Sequence, residues 1–346
     1  MKVEDLEKSV IRVFEVWEKI GINPTHVTLE YVGGEVTMLP METLRKMVLV
    51  VRALFKEKQV EVRDGVQSNL LCSKRKLDDL LELFDGRVGT SIDNWSDQRR
   101  FNGSSHKYRT FFLKSESHIQ ENHNVILPAV ITVDKHNIDH LVYELELANK
   151  IERSLVFRAI FEGGSAGVEM LSSESISKAY VELFDEWVQK KDIIVDPFYT
   201  LLKRRMRHRR GLLDEVNSYC SWKSNCAKQS LSLEPNGDLY VCQELADAKT
   251  FKLGNAIAGD IDYGLIEKLF QRESAINDEC GSCDYLNDCR GGCMVHSINA
   301  GLDYLAKTPY CGAWKSIFSH IDNALNQDER AIKRWLHALE RKNGIK

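Results

Sequence analysis

Eight of the nine cysteines in this chain of 346 residues fall in one stretch of its C-terminal half. Their order is C-x5-C-x10-G-x4-C, then C-x2-C-x5-C-x3-C after a gap, and one more cysteine after a second gap. They are Cys220, Cys226, Cys242, Cys280, Cys283, Cys289, Cys293 and Cys311. Thiols gathered at such regular spacings predict either a metal-binding module or a disulfide framework.

The rest of the sequence favours metal over disulfides. The N-terminus is charged and passes directly into an amphipathic pattern, which is unlike a signal peptide, and no long apolar run is present. We therefore expect a cytoplasmic protein, whose thiols stay reduced, with no membrane partner. The net charge of −4 gives no case for a nucleic-acid partner. The odd cysteine, Cys72, is expected to be a small buried side chain.

Quartets of thiolates hold either zinc or an iron–sulfur cluster. The Cys280–Cys283 pair suits one half of a zinc ribbon, but such a ribbon needs two pairs of this spacing, and the chain has one. Ligands drawn from distant parts of the chain are familiar in proteins with two iron–sulfur clusters. The spacing therefore favours iron–sulfur clusters, and a zinc-stabilised structural protein is the alternative.

The N-terminal half alternates between strand and helix patterns. Periodicity predicts strands at 26–32, 60–66, 87–92, 125–133 and 155–161. It predicts helices at 3–20, 41–58, 74–84, 138–151 and 175–188. This order is typical of an α/β fold with a parallel sheet covered by helices. Ligands of such sheets bind at the carboxyl ends of the strands, where Gly33-Gly34-Glu35, Gln67-Ser68-Asn69 and Ser91-Ile92-Asp93 fall.

A shift in composition near Asp196-Pro197 predicts a boundary between a domain of residues 1–195 and one of residues 196–346. A basic run from Lys203 to Arg210 sits on the connecting helix, as a solvated face or as a docking surface for an acidic partner. Residues 230–241 predict a β-hairpin with an Asn-Gly turn. Long helices are expected at 314–326 and 330–342.

The cysteine pattern resembles the SPASM domain, the auxiliary-cluster module at the C-terminus of many radical S-adenosylmethionine (SAM) enzymes. All eight cysteines and Gly237 stand at positions of that pattern. The resemblance implies two [4Fe-4S] clusters with four protein ligands each. One would be held by Cys220, Cys226, Cys242 and Cys293, and the other by Cys280, Cys283, Cys289 and Cys311.

The N-terminal half resembles the partial, open (β/α) barrel of the same family, with its first strand missing. The Gly33-Gly34-Glu35 segment stands where the family contacts the amino group of SAM, and Ser91 and Asp93 follow in family order. The resemblance implies a SAM pocket built from Gly33, Gly34, Glu35, Ser91 and Asp93. Gln243 departs from the family, because some members that oxidise a cysteine or serine carry a proton-accepting aspartate there.

One family motif is absent from the sequence. Radical chemistry in the family needs a C-x3-C-x2-C loop after the first barrel strand, and the only cysteine before Cys220 is Cys72. We therefore expect that the chain binds clusters but does not cleave SAM by itself, so that SAM binding is in doubt. The start at Met1, just ahead of a well-formed helix, favours a natural loss of the loop. The intact Gly33-Gly34-Glu35 and Ser91-Ile92-Asp93 segments favour instead a fragment of an active enzyme or a recent loss, and both interpretations stay open.

Two functions follow from the resemblance. The first is a radical SAM oxidoreductase or maturase that modifies a peptide or protein, as in the biosynthesis of ribosomally made peptides. The second is a non-catalytic partner or scaffold that works beside a catalytic radical SAM subunit. The expected partners are a peptide or protein substrate and, in the second case, that subunit or an electron donor.

Overall fold

The structure is a computed structural model that describes residues 1–92, 94–95, 99–161, 170–212, 220–223 and 225–345. These residues divide into two compact units, each composed of several segments of the chain. The first unit comprises Met1–Thr90, Arg100–Leu127 and Cys226–Phe270. The second comprises Ser91–Arg99, Pro128–Asn225 and Gln271–Lys346. The boundary predicted between residues 195 and 196 was based on a shift in composition, and it stays a prediction.

Helices and strands alternate through the first two thirds of the described chain. The helices are α1 (Val3–Lys19), α2 (Met41–Glu57), α3 (Lys74–Leu83), α4 (Ser105–His123), α5 (Leu141–Lys150), α6 (Ser173–Trp187), α7 (Phe198–His208), α8 (Cys226–Gln229), α9 (Gln243–Asp247), α10 (Tyr263–Cys280), α11 (Leu286–Cys289), α12 (Met294–Asn299) and α13 (Cys311–Lys342). The strands are β1 (His26–Tyr31), β2 (Glu61–Gln67), β3 (Val88–Ile92), β4 (Ala129–Val133), β5 (Leu155–Ala159), β6 (Val195–Asp196), β7 (Ser232–Leu233), β8 (Asp238–Tyr240), β9 (Gly254–Asn255) and β10 (Asp260–Ile261).

The first unit contains a parallel sheet and a small antiparallel one. Strand β1 pairs with β2, from His26 opposite Glu61 to Tyr31 opposite Val66, and β2 pairs with β3. The antiparallel strands follow the order β10-β9-β8-β7, which includes the predicted hairpin. Gly237 ends its turn with a φ of 90°, a conformation that glycine adopts at no steric cost.

The second unit contains three further parallel strands and most of the apolar core. Strand β4 pairs with β5 along its whole length, and β5 pairs with β6. Alternate side chains of β4 are buried, as expected when one face of a strand meets the core. Helix α13 packs on α6 through aromatic contacts such as that between Tyr180 and Trp314. Asp328, with φ −156° and ψ 77°, interrupts α13 between the two helices that the sequence predicts.

The α/β class is confirmed, and each predicted strand of the N-terminal half is present within a few residues of its expected bounds. Two long helices were missed, α10 in the C-terminal half and, in the N-terminal half, α4. Its buried stripe consists of Tyr108, Phe112, Ser115 and Ile119, so a serine interrupts the apolar pattern on which the prediction depended. None of the helices in the described ranges is both long and apolar enough to cross a membrane.

Candidate metal centre and cofactor edge

Four of the cysteines come together within the second unit. Cys280 ends α10, Cys283 lies in the turn that follows, Cys289 ends α11 and Cys311 begins α13. Burial, together with the nearby thiols of Cys311, Cys280 and Cys283, raises the pKa of the Cys289 thiol to about 12. Burial, the carboxylate of Glu279 and the Cys311 and Cys283 thiols likewise raise the pKa of Cys280. The quartet predicted for one cluster is therefore close enough for its charges to interact.

A glycine pair shapes the loop after Cys289. The backbone amide of Gly291 donates a hydrogen bond toward the Cys289 sulfur, which favours the thiolate. Gly291 and Gly292 have φ values of 76° and 72°, where side chains are strained. A Cβ atom at Gly291 would lie 2.3 Å from the side chain of Ile276, and one at Gly292 would lie 2.3 Å from that of Thr308. Only glycine fits at both positions.

A buried arginine ties this loop to the segment before Cys311. Arg272 is only 2% exposed. Its guanidinium donates to the carbonyl oxygens of Gly292 at 3.2 Å, Ala306 at 2.7 Å and Tyr304. Since these carbonyls come from both sides of the site, Arg272 fixes the distance between the loop after Cys289 and the chain that leads into α13.

Helix α7 holds α11 in place. Arg205 donates to Asp288 at 2.6 Å and makes two bonds to Asp322, at 3.0 and 2.6 Å. His208 Nδ1 contacts the other oxygen of Asp288 at 2.8 Å, and burial lowers the pKa of this histidine. Asp288 is 1% exposed and directly precedes Cys289, so these bonds fix the position of that cysteine.

The basic run of α7 is therefore not simply a solvated face or a docking surface, and both expectations are corrected for its inner residues. Arg204 is 5% exposed and donates to the carbonyl of Asn287. Arg209 and Arg210 are exposed but pair with Asp322 and Glu329 of α13. The sequence pattern could not show this, because the acidic partners are about 80 to 120 residues further along the chain.

The other predicted quartet is divided between the two units. Cys226 begins α8 and Cys242 directly precedes α9 in the first unit. Cys220 begins a 3-10 turn and Cys293 directly precedes α12 in the second unit. None of the nine cysteines forms a disulfide, all of them being among the residues that the structure describes. This second ligand set stays a prediction.

The Gly33-Gly34-Glu35 segment follows β1 at the carboxyl end of the sheet in the first unit. Gly33 and Gly34 have φ values of 85° and 46°, and no atom lies within 4 Å of a Cβ built on either residue. The backbone is thus open on the side where a side chain would stand. A ligand can approach such a backbone closely, which fits the contact with SAM that the resemblance implies.

The carboxylate of Glu35 is occupied by protein donors. Its Oε1 accepts bonds from the Thr37 amide at 3.1 Å and from the Thr37 and Ser68 hydroxyls, both at 2.9 Å. Its Oε2 accepts from the Asn69 amide at 2.8 Å. Four bonds match the usual capacity of a carboxylate. Glu35 therefore joins the loops after β1 and β2, and the glycine backbone beside it is left for a ligand.

For two of the residues predicted to line the SAM pocket, Ser91 and Asp93, that role stays a prediction. Ser91 belongs to the second unit, near the end of β3, and Asp93 lies outside the described residues. Cys72 is half-buried beside Glu35, and burial raises its pKa to about 11. A thiol with so high a pKa is a poor nucleophile, which agrees with the structural role expected for it.

Comparison with known proteins shows what the chain is similar to. The chain is 26% identical over 199 residues to a serine-type anaerobic sulfatase-maturating enzyme of Klebsiella aerogenes, covering 54% of this chain and 45% of that protein. It is 26% identical over 189 residues to the mycofactocin maturase MftC of Mycobacterium ulcerans, covering 52% and 48%. The chain is a homologue of peptide-maturing radical SAM/SPASM enzymes. No protein-family model matches it.

The radical SAM/SPASM fold extends over nearly the whole chain. A solved structure of anSMEcpe with bound AdoMet matches 98% of this chain and 90% of its own, with a TM-score of 0.70 and 19% identity. This likeness confirms the fold class predicted, a partial parallel barrel with a C-terminal module. The chain spans about half the length of the two curated relatives above.

Proposed function

We propose that this chain takes part in the radical-SAM-type maturation of a peptide or protein in the cytoplasm, as a carrier of two auxiliary [4Fe-4S] clusters. The observation that carries the proposal is the group of four interacting thiols at Cys280, Cys283, Cys289 and Cys311. The names of the relatives support a peptide substrate, since they are maturing enzymes, and anSMEcpe has been solved with a bound Kp18Cys peptide.

The spacing of the sulfurs favours an iron–sulfur cluster over zinc. Around a tetrahedral zinc ion with Zn–S bonds of about 2.3 Å, the sulfurs stand about 3.8 Å apart. Among the described residues, no three cysteine sulfurs lie within 4.8 Å of one another. A four-iron cluster, which is larger than a single ion, suits four thiols that are close but not in contact. A zinc-stabilised scaffold is therefore not the interpretation that we adopt.

Residues around the quartet suit an anionic group. Lys307 interacts with the Cys280 and Cys311 thiols and is hydrogen-bonded to Glu279, which raises its pKa. Cys311 is the first residue of α13, and the N-terminus of a long helix stabilises negative charge. A bound cluster would supply electron transfer. These groups would offset its charge and that of its four thiolates.

We propose further that the residues of this chain do not cleave SAM on their own, because they lack the C-x3-C-x2-C loop. The open backbone at Gly33 and Gly34 supports SAM binding, so binding and cleavage are separate questions. Cleavage would then require such a loop from elsewhere, either in a segment outside these residues or in a catalytic radical SAM subunit. The auxiliary clusters would serve it as an electron relay or a substrate-binding scaffold.

The test is an anaerobic determination of iron, sulfide and zinc per chain, with EPR after reduction by dithionite. About eight irons and eight sulfides with little zinc are expected for two four-iron clusters. Two zinc ions without sulfide would refute the cluster proposal. Incubation of the reduced chain with SAM is expected to give no 5′-deoxyadenosine. Formation of that product would refute the proposal about cleavage and leave the clusters unaffected.

A further inference from the structure

Three potential metal ligands come together within the first unit. In sequence they are all at least about 100 residues before Cys220, the first of the eight clustered cysteines. Asp78 lies on α3, and His118 and His123 lie on α4. One carboxylate oxygen, Asp78 Oδ1, is 2.8 Å from His118 Nε2 and 2.7 Å from His123 Nε2. One ligand atom from each of the three residues lies within 4.8 Å of the other two. Two imidazoles and a carboxylate form a donor set used by zinc proteins.

The site is partly buried and partly open. The side chain of His118 is 10% exposed, whereas those of His123 and Asp78 are 31% and 42% exposed. The amide nitrogen of Asn122 lies 3.1 Å from His118 Nδ1 and donates to it, so the hydrogen of this imidazole is on Nε2, which faces Asp78. Zinc binding at Nε2 would move that hydrogen to Nδ1, with the oxygen of the Asn122 amide turned to accept it. The buried histidine is thus fixed, while the other two ligands can adjust and leave room for a water molecule.

We propose that Asp78, His118 and His123 bind one zinc ion that links the end of α4 to α3. Tetrahedral zinc places nitrogen and oxygen ligands about 3.4 Å apart, so each hydrogen-bonded contact would lengthen by about 0.6 Å. Rotation of the exposed Asp78 and His123 side chains can supply this change. Water would complete the coordination, since three protein ligands leave the fourth position open.

The lowered pKa of Asp78 agrees with this assignment. The hydrogen bond with His123 lowers the pKa of Asp78 the most, and the hydrogen bond with His118 lowers it as well. The carboxylate is therefore ionised under ordinary conditions, as a metal ligand must be. This site is independent of the proposed function, because it uses no cysteine and none of the residues at the glycine segment.

The first unit offers a matched control. His26 Nε2 lies 2.9 Å from Glu61 Oε2, so this histidine also pairs with a carboxylate, but both side chains are more than 70% exposed. The pair supplies only two ligands. Replacing His26 removes an imidazole of the same chemistry without touching the proposed site.

The experiment measures zinc bound per chain after equilibrium dialysis, for the full chain and for H118A, H123A and H26A. All four proteins keep every cysteine, so any zinc that the cysteines take up in the dialysis is the same in each. Differences in bound zinc between the proteins therefore report the histidine site alone. The parent and H26A are expected to bind one zinc more than H118A and H123A. Loss of a ligand should lower the zinc affinity of this site at least about tenfold, because loss of an outer-shell partner alone typically costs about 10- to 100-fold.

His123 is the more informative position, because its side chain is partly exposed at the end of α4 and its replacement leaves the core intact. Zinc should raise the melting temperature of the parent more than that of H123A. The inference is overturned if all four proteins bind equal amounts of zinc, or if H26A loses as much as H123A does.

Discussion

The cysteine quartet of the second unit and the glycine segment of the first are built on opposite principles. At the quartet, four thiols interact through their charges, and the pKa of Cys289 is raised to about 12. At the glycine segment, Glu35 is paired with four donors from the protein itself. The thiols of the quartet have few partners in the protein that would stabilise them as thiolates. The carboxylate of the glycine segment already has a full set of hydrogen-bond donors.

This difference shows where a cofactor contributes to folding. Thiols that must be deprotonated and brought together gain their stability from the metal that binds them, so loading and folding are coupled. A backbone segment that is held by its own carboxylate keeps its form with or without a ligand. We therefore expect substitutions at the quartet to act through cofactor loss, and substitutions at Glu35 to act on the fold directly.

The largest effect is expected for Cys289→Ser. A hydroxyl is a poor replacement for a thiolate at iron, so one of two clusters should be lost and the iron content should fall from about eight to about four per chain. Iron and sulfide assays on the anaerobic protein measure this. Cys72→Ser is the control, because that cysteine belongs to the first unit and to neither predicted quartet. Equal iron in both variants would exclude Cys289 as a ligand.

An intermediate effect is expected for Arg205→Met, which leaves Asp288 and Asp322 without their shared cation. Asp288 is 1% exposed, and removing one partner of a buried ion pair costs about 3 kcal/mol in unfolding free energy. Urea denaturation measures the loss. Lys46→Met is the control, since Lys46 and Glu42 form an exposed pair on α2 whose loss should leave the unfolding free energy nearly unchanged. Similar losses in the two variants would show that Arg205 has no special role.

These residues also show what the sequence could and could not predict. The grouping of Cys280, Cys283, Cys289 and Cys311 follows from the resemblance to the SPASM pattern, and as a ligand set it stays a prediction. The partners of Arg205 could not be found in this way, since ion pairs between distant segments leave no periodic pattern. Helix α4 was missed because Ser115 lies on its buried face and donates to the carbonyl of Leu70. The histidines of the proposed zinc site were missed with it.

The backbone at the strand ends could be predicted from the sequence better than the ion pairs of Arg205 could. Glycines after a strand predicted the open backbone at Gly33 and Gly34, which is a property of the residue type. The bonds that Glu35 accepts from Ser68 and Asn69 could not be predicted in this way, because those two residues follow another strand. Only the parallel register of β1 and β2 brings these loops together.

The smallest effect on a measured quantity is expected for Glu35→Gln. This change keeps the size of the side chain but replaces one acceptor oxygen with the NH2 group of an amide, which can only donate. At least one donor among Thr37, Ser68 and Asn69 then loses its partner. Since Ser68 is 3% exposed, the unfolding free energy should fall by about 1 to 2 kcal/mol. The control is Glu42→Gln, an exposed position where the unfolding free energy is expected to stay nearly unchanged.

The Glu35 variant also tests the comparison between the two regions. If the glycine segment is supported by the protein alone, Glu35→Gln should lower stability while iron and sulfide stay at the parent level. Cys289→Ser, by contrast, should lower the iron and sulfide content, since it removes a predicted cluster ligand. A Glu35→Gln protein that loses iron together with stability would show that the two regions are coupled, and that neither of them can be understood by its own contacts.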